Sequence, residues 1–133
     1  MNDYLAVRAA RLDGSYAIEN LGEGMLDLLF VPGDQAARVT GTMSGPALMT
    51  IADLAGGLLT AAHRGLDRLA STTNLTINFL RPGPIGPTTA RARALRLGSR
   101  QAVCEVSIVD AAGEILAHSV MTFAYPKTAL EGS

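Results

Sequence analysis

Asp53 is the single charged residue in the apolar stretch that runs from residue 46 to residue 62. A buried carboxylate is costly to desolvate unless it has hydrogen-bond partners or a chemical role. Just ahead of this stretch, a loop of small residues over 41–45 ends at Gly45, immediately before the predicted helix. Backbone N–H groups at a helix N-terminus bind anions and stabilise a developing oxyanion. An oxyanion donor at Gly45 and an acid at Asp53 are together the groups that acyl transfer requires.

Each of these residues also has a purely structural interpretation. Asp53 is then a buried acid satisfied by neighbouring hydroxyls or by another subunit, and Gly45 is an ordinary turn glycine. Ser44 is typical of a helix N-cap, and Pro46 suits the first helical turn although it offers no N–H. No histidine lies between Ser44 and Asp53, so no Ser-His-Asp arrangement is predicted.

The element that carries these residues is predicted to be one long helix over 46–64. Basic residues His63 and Arg64 followed by Gly65 are typical of a helix C-terminus. The adjacent glycines Gly56 and Gly57 each cost about 1 kcal/mol of helix stability relative to alanine. Two glycines in a row therefore indicate that a sheet or a ligand approaches the helix closely there.

The remainder of the chain favours β-strands. In the segment after the helix, alternation places Thr73, Leu75, Ile77 and Phe79 on one face, and Thr72, Asn74, Thr76 and Asn78 on the other. Glycine- and proline-rich turns separate the later strands and predict an antiparallel meander. The strands are predicted at 16–31 (one or two, interrupted near Gly22), 72–80, 88–97, 102–108 and 114–125. An irregular or short helical segment is expected over 1–15, and a loose tail over 126–133.

Composition limits the classes of function. The 133 residues predict one domain over 1–133, and 48% hydrophobic residues with 17% charged residues favour a globular chain, whose apolar surplus is compatible with either a monomer or an oligomer. A net charge of −1 argues against nucleic-acid or membrane-surface binding. The lone Cys104 excludes an intrachain disulfide and a cysteine-based zinc site, and no metal site is predicted. With no export leader apparent, a cytoplasmic protein is expected.

Taken together, the motifs resemble the hotdog-fold acyl-CoA thioesterases, in particular the PaaI-like branch associated with phenylacetate degradation. The resemblance covers roughly residues 16 to 125. It rests on Gly41-Thr42, Gly45, Leu48 and Ile51-Ala52-Asp53 at and within the helix, on the segment Leu75-Thr-Ile-Asn-Phe-Leu-Arg-Pro82, and on the turns Gly98-Ser99-Arg100 and Asp110-Ala-Ala-Gly113.

This resemblance implies an α+β hotdog fold, in which an antiparallel sheet wraps around one long central helix. It also implies a homodimer, or a dimer of dimers, whose sheets join edge to edge and whose active sites lie at the interface. Gly45 would supply the oxyanion N–H, and Asp53 of the opposite subunit would be the general base or the nucleophile. The substrate would be an acyl-CoA or aryl-acyl-CoA, coenzyme A entering only as part of it, with no separate cofactor.

Substrate contacts are expected from further positions. Thr72 begins a strand that the family places near the acid, and Gly57 lies one turn past Asp53, where its missing side chain leaves room for an acyl group. Arginine forks suit phosphate oxygens, so Arg81, Ser99 and Arg100 are candidates for the phosphates of coenzyme A. Ser44 and Pro46 flank the donor and complete the predicted binding residues.

The chain departs from the family at several positions. It has Ser44-Gly45-Pro46 where the family usually has His-Gly-Gly, Arg38 where the family often has asparagine, and Asn74 where relatives often have aspartate. Two other functions therefore stay open beside thioester hydrolysis. One is a non-catalytic module that binds acyl-CoA or an aromatic ligand, and the other is a hotdog hydratase or dehydratase, which usually pairs a histidine with the acid.

Overall fold

A computed structural model describes residues 13–33, 42–65 and 69–126 of the chain. Within these ranges, one helix lies against one sheet of six strands. The elements in chain order are β1 (Gly14–Gly22), β2 (Met25–Pro32), α1 (Gly45–Arg64), β3 (Ser71–Phe79), β4 (Thr88–Leu97), β5 (Gln101–Asp110) and β6 (Ile115–Ala124). The helix begins one residue before its predicted start, and the first strand begins inside the segment 1–15 that was expected to be irregular.

The sheet is antiparallel throughout, with the strand order β1-β2-β4-β5-β6-β3. The predicted meander is formed by β4, β5 and β6, because tight turns join them. In the second of these turns, Asp110 Oδ1 accepts hydrogen bonds from the N–H groups of Ala112 and Glu114, and Gly113 takes the left-handed conformation at φ 84°. Strand β3 lies beyond β6 and forms one edge of the sheet.

Small side chains let α1 lie close to the sheet. A Cβ on Gly56 would lie 2.9 Å from Cζ of Phe123, so no larger residue fits there without a shift. Ala90 and Ala92 of β4 have small side chains and are completely buried. By length and composition α1 could cross a membrane, but Ile51, Ala55 and Leu58 are fully buried inside the protein. The helix is thus a core helix, and at Gly56 it is the sheet, one of the two alternatives given for the glycine pair, that approaches it closely.

Both helix ends are capped as predicted. Ser44 Oγ accepts a 3.2 Å hydrogen bond from the Ala47 N–H, which is the geometry of an N-cap. At the other end, the Gly65 N–H donates to the Ala61 carbonyl at 2.7 Å, and Gly65 has φ 97°, which disfavours any residue with a side chain. These local interactions fix where the helix starts relative to Asp53.

A β-bulge in β3 overturns one predicted strand face. Thr72 pairs with Phe123 and Asn74 with Thr122, so Thr73 is an extra residue, and its hydroxyl donates to the Thr122 carbonyl at 3.2 Å. Phe123 points at the helix, and Thr72 therefore points there too. The prediction that Thr72 shares a face with Asn74 was wrong, because simple alternation does not survive the inserted residue.

The opposite face of the sheet holds one buried ion pair. Asp27 is only 8% exposed, and its Oδ1 lies 2.8 Å from Nη1 of Arg93 on the neighbouring strand β4. Asn20 on β1 donates to Asp27 Oδ2 at 3.0 Å. Both carboxylate oxygens are therefore satisfied, which ties β1, β2 and β4 together on the side away from the helix.

Candidate active site

The first turn of α1 presents one unclaimed N–H donor. The first N–H groups of a helix have no carbonyl partner within it. Ser44 accepts from Ala47 through its side chain and from Leu48 through its carbonyl, and Pro46 has no N–H. Among the described residues, the Gly45 N–H is thus the donor left over in that turn. It lies at the positive end of the helix dipole, and the first turn contains no acidic residue to compete for it.

An aromatic ring forms a wall beside this donor. A Cβ on Gly45 would lie 3.4 Å from Cζ of Phe79, at the end of β3. Phe79 is 50% exposed and the following Leu80 is 57% exposed, which is unusual for two adjacent large apolar residues. Alternation predicted that Phe79 shares a strand face with Leu75 and Ile77, but gave no indication that Phe79 is part of a site.

Asp53 is half-buried and has one hydrogen-bond partner in the described part of the chain. The Thr72 hydroxyl donates to its Oδ1 at 2.6 Å, which is a short, charge-assisted distance when the acid is ionised. Thr72 reaches Asp53 only because the bulge turns it toward the helix. The hydrogen bond fixes one carboxylate oxygen and leaves Oδ2 without a partner among the described residues.

The donor and the acid are too far apart to act together within one protomer. Gly45 and Asp53 are eight residues apart on a continuous helix, which corresponds to about 12 Å along its axis. A single thioester carbonyl group cannot contact both the amide of Gly45 and the carboxylate of Asp53 over that distance. If the two groups act on one carbonyl, they must come from different copies of the chain.

Strand β6 contains a buried polar atom that the sequence did not predict. Leu75 and Ile77 of β3 pack against the core, and Ile77 pairs with Ser119 of β6. Ser119 is 1% exposed, and its hydroxyl has no hydrogen-bond partner in the structure as described. Alternation places Ser119 on the same face as Met121 and Phe123, but nothing in the sequence indicates that its buried hydroxyl would have no partner.

The predicted phosphate-binding residues lie at two opposite ends of α1. Arg81 follows Phe79 near the helix start and forms a 2.8 Å ion pair with Glu114. Ser99 lies at the helix end, where its carbonyl accepts from Nη2 of Arg64, and Arg100 is beside it. A 20-residue helix is about 30 Å long, so Arg81 is not brought together with Ser99 and Arg100 in one protomer.

Gly57 and Pro46 lie on α1, half-buried and exposed respectively, and Ser44 immediately precedes the helix. Arg38 and Gly41 fall outside the described residues. Over the described ranges, no group of three or more His, Cys, Asp or Glu side chains could hold a metal ion. His118 instead contacts a carboxylate, with its Nε2 3.1 Å from Oε2 of Glu105.

Cys104 has the environment of a structural thiol. It is completely buried, and burial raises its pKa to about 12, with the negative charges of Asp53 and Glu105 as smaller causes. A thiol with this pKa stays protonated at neutral pH and is not a nucleophile. Burial likewise raises the pKa of Tyr16 to about 12. The acid and the helix amide thus remain the chemically plausible pair.

The fold and these residues can now be compared with known proteins. The family model of the thioesterase superfamily matches residues 40–117, which include the whole of α1 and extend into β6. The chain belongs to the thioesterase superfamily. The one helix and six antiparallel strands of the described residues form the hotdog fold, as the sequence resemblance implied.

Solved structures of this superfamily agree with that assignment. A protein of Silicibacter sp. TM1040 is 30% identical, with 95% of this chain and 89% of that one covered at a TM-score of 0.84. PaaI from the phenylacetic acid degradation operon of E. coli is 25% identical, with 92% and 88% covered and a TM-score of 0.74. A Streptococcus pneumoniae protein solved with coenzyme A shares the fold at 19% identity, with 96% and 98% covered and a TM-score of 0.82.

Proposed function

We propose that this member of the thioesterase superfamily hydrolyses acyl-CoA thioesters to a free acid and coenzyme A. Two observations carry the proposal. The Gly45 N–H at the helix start has no acceptor among the described residues, and the Asp53 carboxylate accepts a hydrogen bond from Thr72. Acyl transfer requires a donor for the oxyanion and a group that delivers the nucleophile. The coenzyme A bound to the Streptococcus pneumoniae protein supports a CoA ester as the substrate class.

In the proposed reaction, the Gly45 N–H donates a hydrogen bond to the thioester carbonyl oxygen. Asp53 acts from the facing protomer, either as a general base or as the nucleophile. As a base, it takes a proton from water, the hydroxide adds to the carbonyl carbon, and the C–S bond breaks as the thiolate of coenzyme A takes that proton. As a nucleophile, it forms a mixed anhydride and expels the thiolate, and water then hydrolyses the anhydride.

The hydrogen bond from Thr72 has a specific role in this scheme. By binding Oδ1, it fixes the rotation of the Asp53 carboxylate and leaves Oδ2 to face water or the thioester carbon. Positioning of this kind contributes to rate because a reacting atom displaced by 1 Å can cost about 100-fold. Thr72 is therefore a positioning residue in the proposal.

The proposal requires a homodimer formed through the β3 edge. One side of β3 pairs with β6, and its other side pairs with no strand of the described residues. Such an edge is a template for pairing with a second chain. The exposed Phe79 and Leu80 lie at the end of this strand, so dimerisation there would bury apolar surface beside Gly45. It would also bring the Asp53 of one copy toward the helix start of the other.

The arginines are proposed to bind the phosphates of coenzyme A. Because Arg81 and Arg100 lie at opposite ends of α1, one protomer does not place both at a single ligand. Antiparallel pairing of two β3 edges would turn the helix end of one copy toward the helix start of the other. Arg81, Ser99 and Arg100 are thus proposed as phosphate contacts of a shared site.

The test is thiol release from a panel of aliphatic and aryl acyl-CoA esters. We expect turnover by the wild type and a loss of at least about 100-fold in kcat for Asp53→Asn, because the amide is neither a base nor a nucleophile. Glu23→Gln, an equivalent change of an exposed acid in the β1–β2 turn, is the matched control and should retain full activity.

Equal thiol release by the wild type and Asp53→Asn would contradict the role of Asp53. Saturable binding of acyl-CoA without turnover across the whole panel would instead indicate a non-catalytic binding module. Hydration of an enoyl-CoA without thiol release would indicate a hydratase.

A further inference from the structure

The loop that leads into α1 is held by the turn between β3 and β4. The Met43 N–H donates a 2.9 Å hydrogen bond to the Gly83 carbonyl, and Thr42 forms a β-bridge with Pro84. Met43 is 7% exposed, and its side chain belongs to the hydrophobic core. Both the backbone and the side chain are therefore fixed two residues before the Gly45 donor.

The same turn is anchored on its other side to β6. The Leu116 carbonyl accepts hydrogen bonds from the N–H groups of Leu80 at 2.8 Å and Arg81 at 3.4 Å. Pro82 and Pro84 flank Gly83, and their rings restrict the backbone conformation of the turn. The turn thus links the backbone at the start of β6 to the loop before the helix.

Gly83 is where this link has no spare room. A Cβ at this position would overlap Cδ1 of Leu116 and lie 3.0 Å from Cδ2 and 3.1 Å from Cγ. Leu116 is fully buried and cannot swing into solvent. Gly83 does not have a positive φ, so the need for glycine comes from this contact and not from backbone conformation.

We propose that Gly83 is a positioning residue that sets the location of the oxyanion donor. Because Gly83 has no side chain, the turn packs directly against Leu116. This packing sets the position of the Gly83 carbonyl, which accepts the hydrogen bond from the Met43 N–H and so sets the position of the start of α1. A side chain at 83 lifts the turn and carries the Gly45 N–H away from the carbonyl oxygen. This inference rests on the proposed function and deepens it, because it adds a residue outside the helix that sets the position of the Gly45 N–H.

The experiment compares Gly83→Ala with Gly86→Ala. Gly86 lies in the same turn, and a Cβ there would meet no atom within 4 Å, so it is a matched control. For Gly83→Ala we expect kcat to fall about tenfold with KM within about twofold, since displacement of a transition-state donor affects mainly the chemical step. We also expect the Met43 amide to exchange with solvent about tenfold faster. Gly86→Ala should match the wild type in all three quantities.

A compensating variant separates positioning from a general loss of stability. Leu116→Ala removes the three atoms that a Cβ at 83 would meet. The double variant Gly83→Ala, Leu116→Ala should therefore recover kcat and slow Met43 exchange to the levels of Leu116→Ala alone, even though the cavity lowers its melting temperature. A merely structural role would make kcat follow the melting temperature instead.

The inference is overturned if Gly83→Ala retains the kcat of Gly86→Ala, or if the double variant does not recover. If the wild type releases no thiol from any ester, the proposed function fails. In that case the Met43 exchange rate still decides the structural part, and an unchanged rate in Gly83→Ala overturns it.

Discussion

Thr72 of β3 and Asp53 of α1, which are 19 residues apart in the chain, are joined by a 2.6 Å hydrogen bond. The bond connects the middle of the central helix to the first residues of the edge strand. It exists because the Thr73 bulge rotates Thr72 out of the alternation that the rest of β3 follows. A backbone irregularity thereby places a hydroxyl on the candidate catalytic acid.

Removal of the Thr72 hydroxyl should impair turnover more than folding. Hydrogen bonds to charged groups contribute about 2 kcal/mol, equivalent to about thirtyfold in rate when they orient a reacting group. We expect Thr72→Val to lower kcat by about that factor and Thr72→Ser to retain most of the activity. Thr73→Val, which loses only a bond to the Thr122 carbonyl, is the neighbouring control. Equal kcat values for the Val and Ser variants at 72 would show that the hydroxyl does not position Asp53.

Substitutions at Ser44 should separate capping from catalysis. Ser44→Ala should reduce the free energy of unfolding by about 1 kcal/mol, because Ala47 loses its acceptor. Ser44→Asn and Ser44→Asp both preserve a cap, but only aspartate places a negative charge beside the proposed oxyanion. We expect Ser44→Asp to lower kcat/KM by about tenfold relative to Ser44→Asn, a fraction of the effect of losing an oxyanion donor. Urea denaturation measures the change in stability, and thiol release measures the change in activity. Identical kcat/KM values for Ser44→Asn and Ser44→Asp would show that the oxyanion does not form beside residue 44.

The ion pair on the far face of the sheet should contribute to stability alone. Arg93→Leu leaves the buried Asp27 carboxylate without its cation. We expect the free energy of unfolding to fall by about 2 kcal/mol, which is less than the loss for a fully buried ion pair because Arg93 is partly solvated. Arg91→Leu, on the same strand but exposed, should change stability by less than about 0.5 kcal/mol. Chemical denaturation of both variants tests this, and an equal effect of the two would contradict it.

Cys104 should make the fold sensitive to high pH. Its pKa is about 12 in the folded protein against 9.0 for an ordinary thiol, so the folded state retains a proton that the unfolded chain loses. Its contribution to stability is complete below pH 9 and declines as the pH rises from 9 toward 12. We expect the free energy of unfolding to fall less steeply over this window in Cys104→Ala than in the wild type. Parallel curves for the two proteins would show that the thiol is not protected from ionisation.

Local sequence determined the elements of this protein. Ser44 and Gly65 define the helix by satisfying its terminal N–H and carbonyl groups, and Asp110 and Gly113 define a hairpin turn. Gly45 and Asp53 were also candidates from local sequence, because an otherwise uncharged stretch makes its only carboxylate conspicuous. Interactions within a few residues account for all of these predictions, so no knowledge of strand pairing was needed.

Tertiary structure alone decided how those elements form a site. The exposure of Phe79 follows from the position of β3 at the sheet edge, and the direction of Thr72 follows from a bulge visible only in its pairing with β6. Gly83 became informative only when Leu116, distant in sequence, was found to occupy the space of its missing side chain. Periodicity encodes which face of a strand is apolar, but strand order and register come from long-range packing, and those contacts place the acid, its hydroxyl partner and the helix amide.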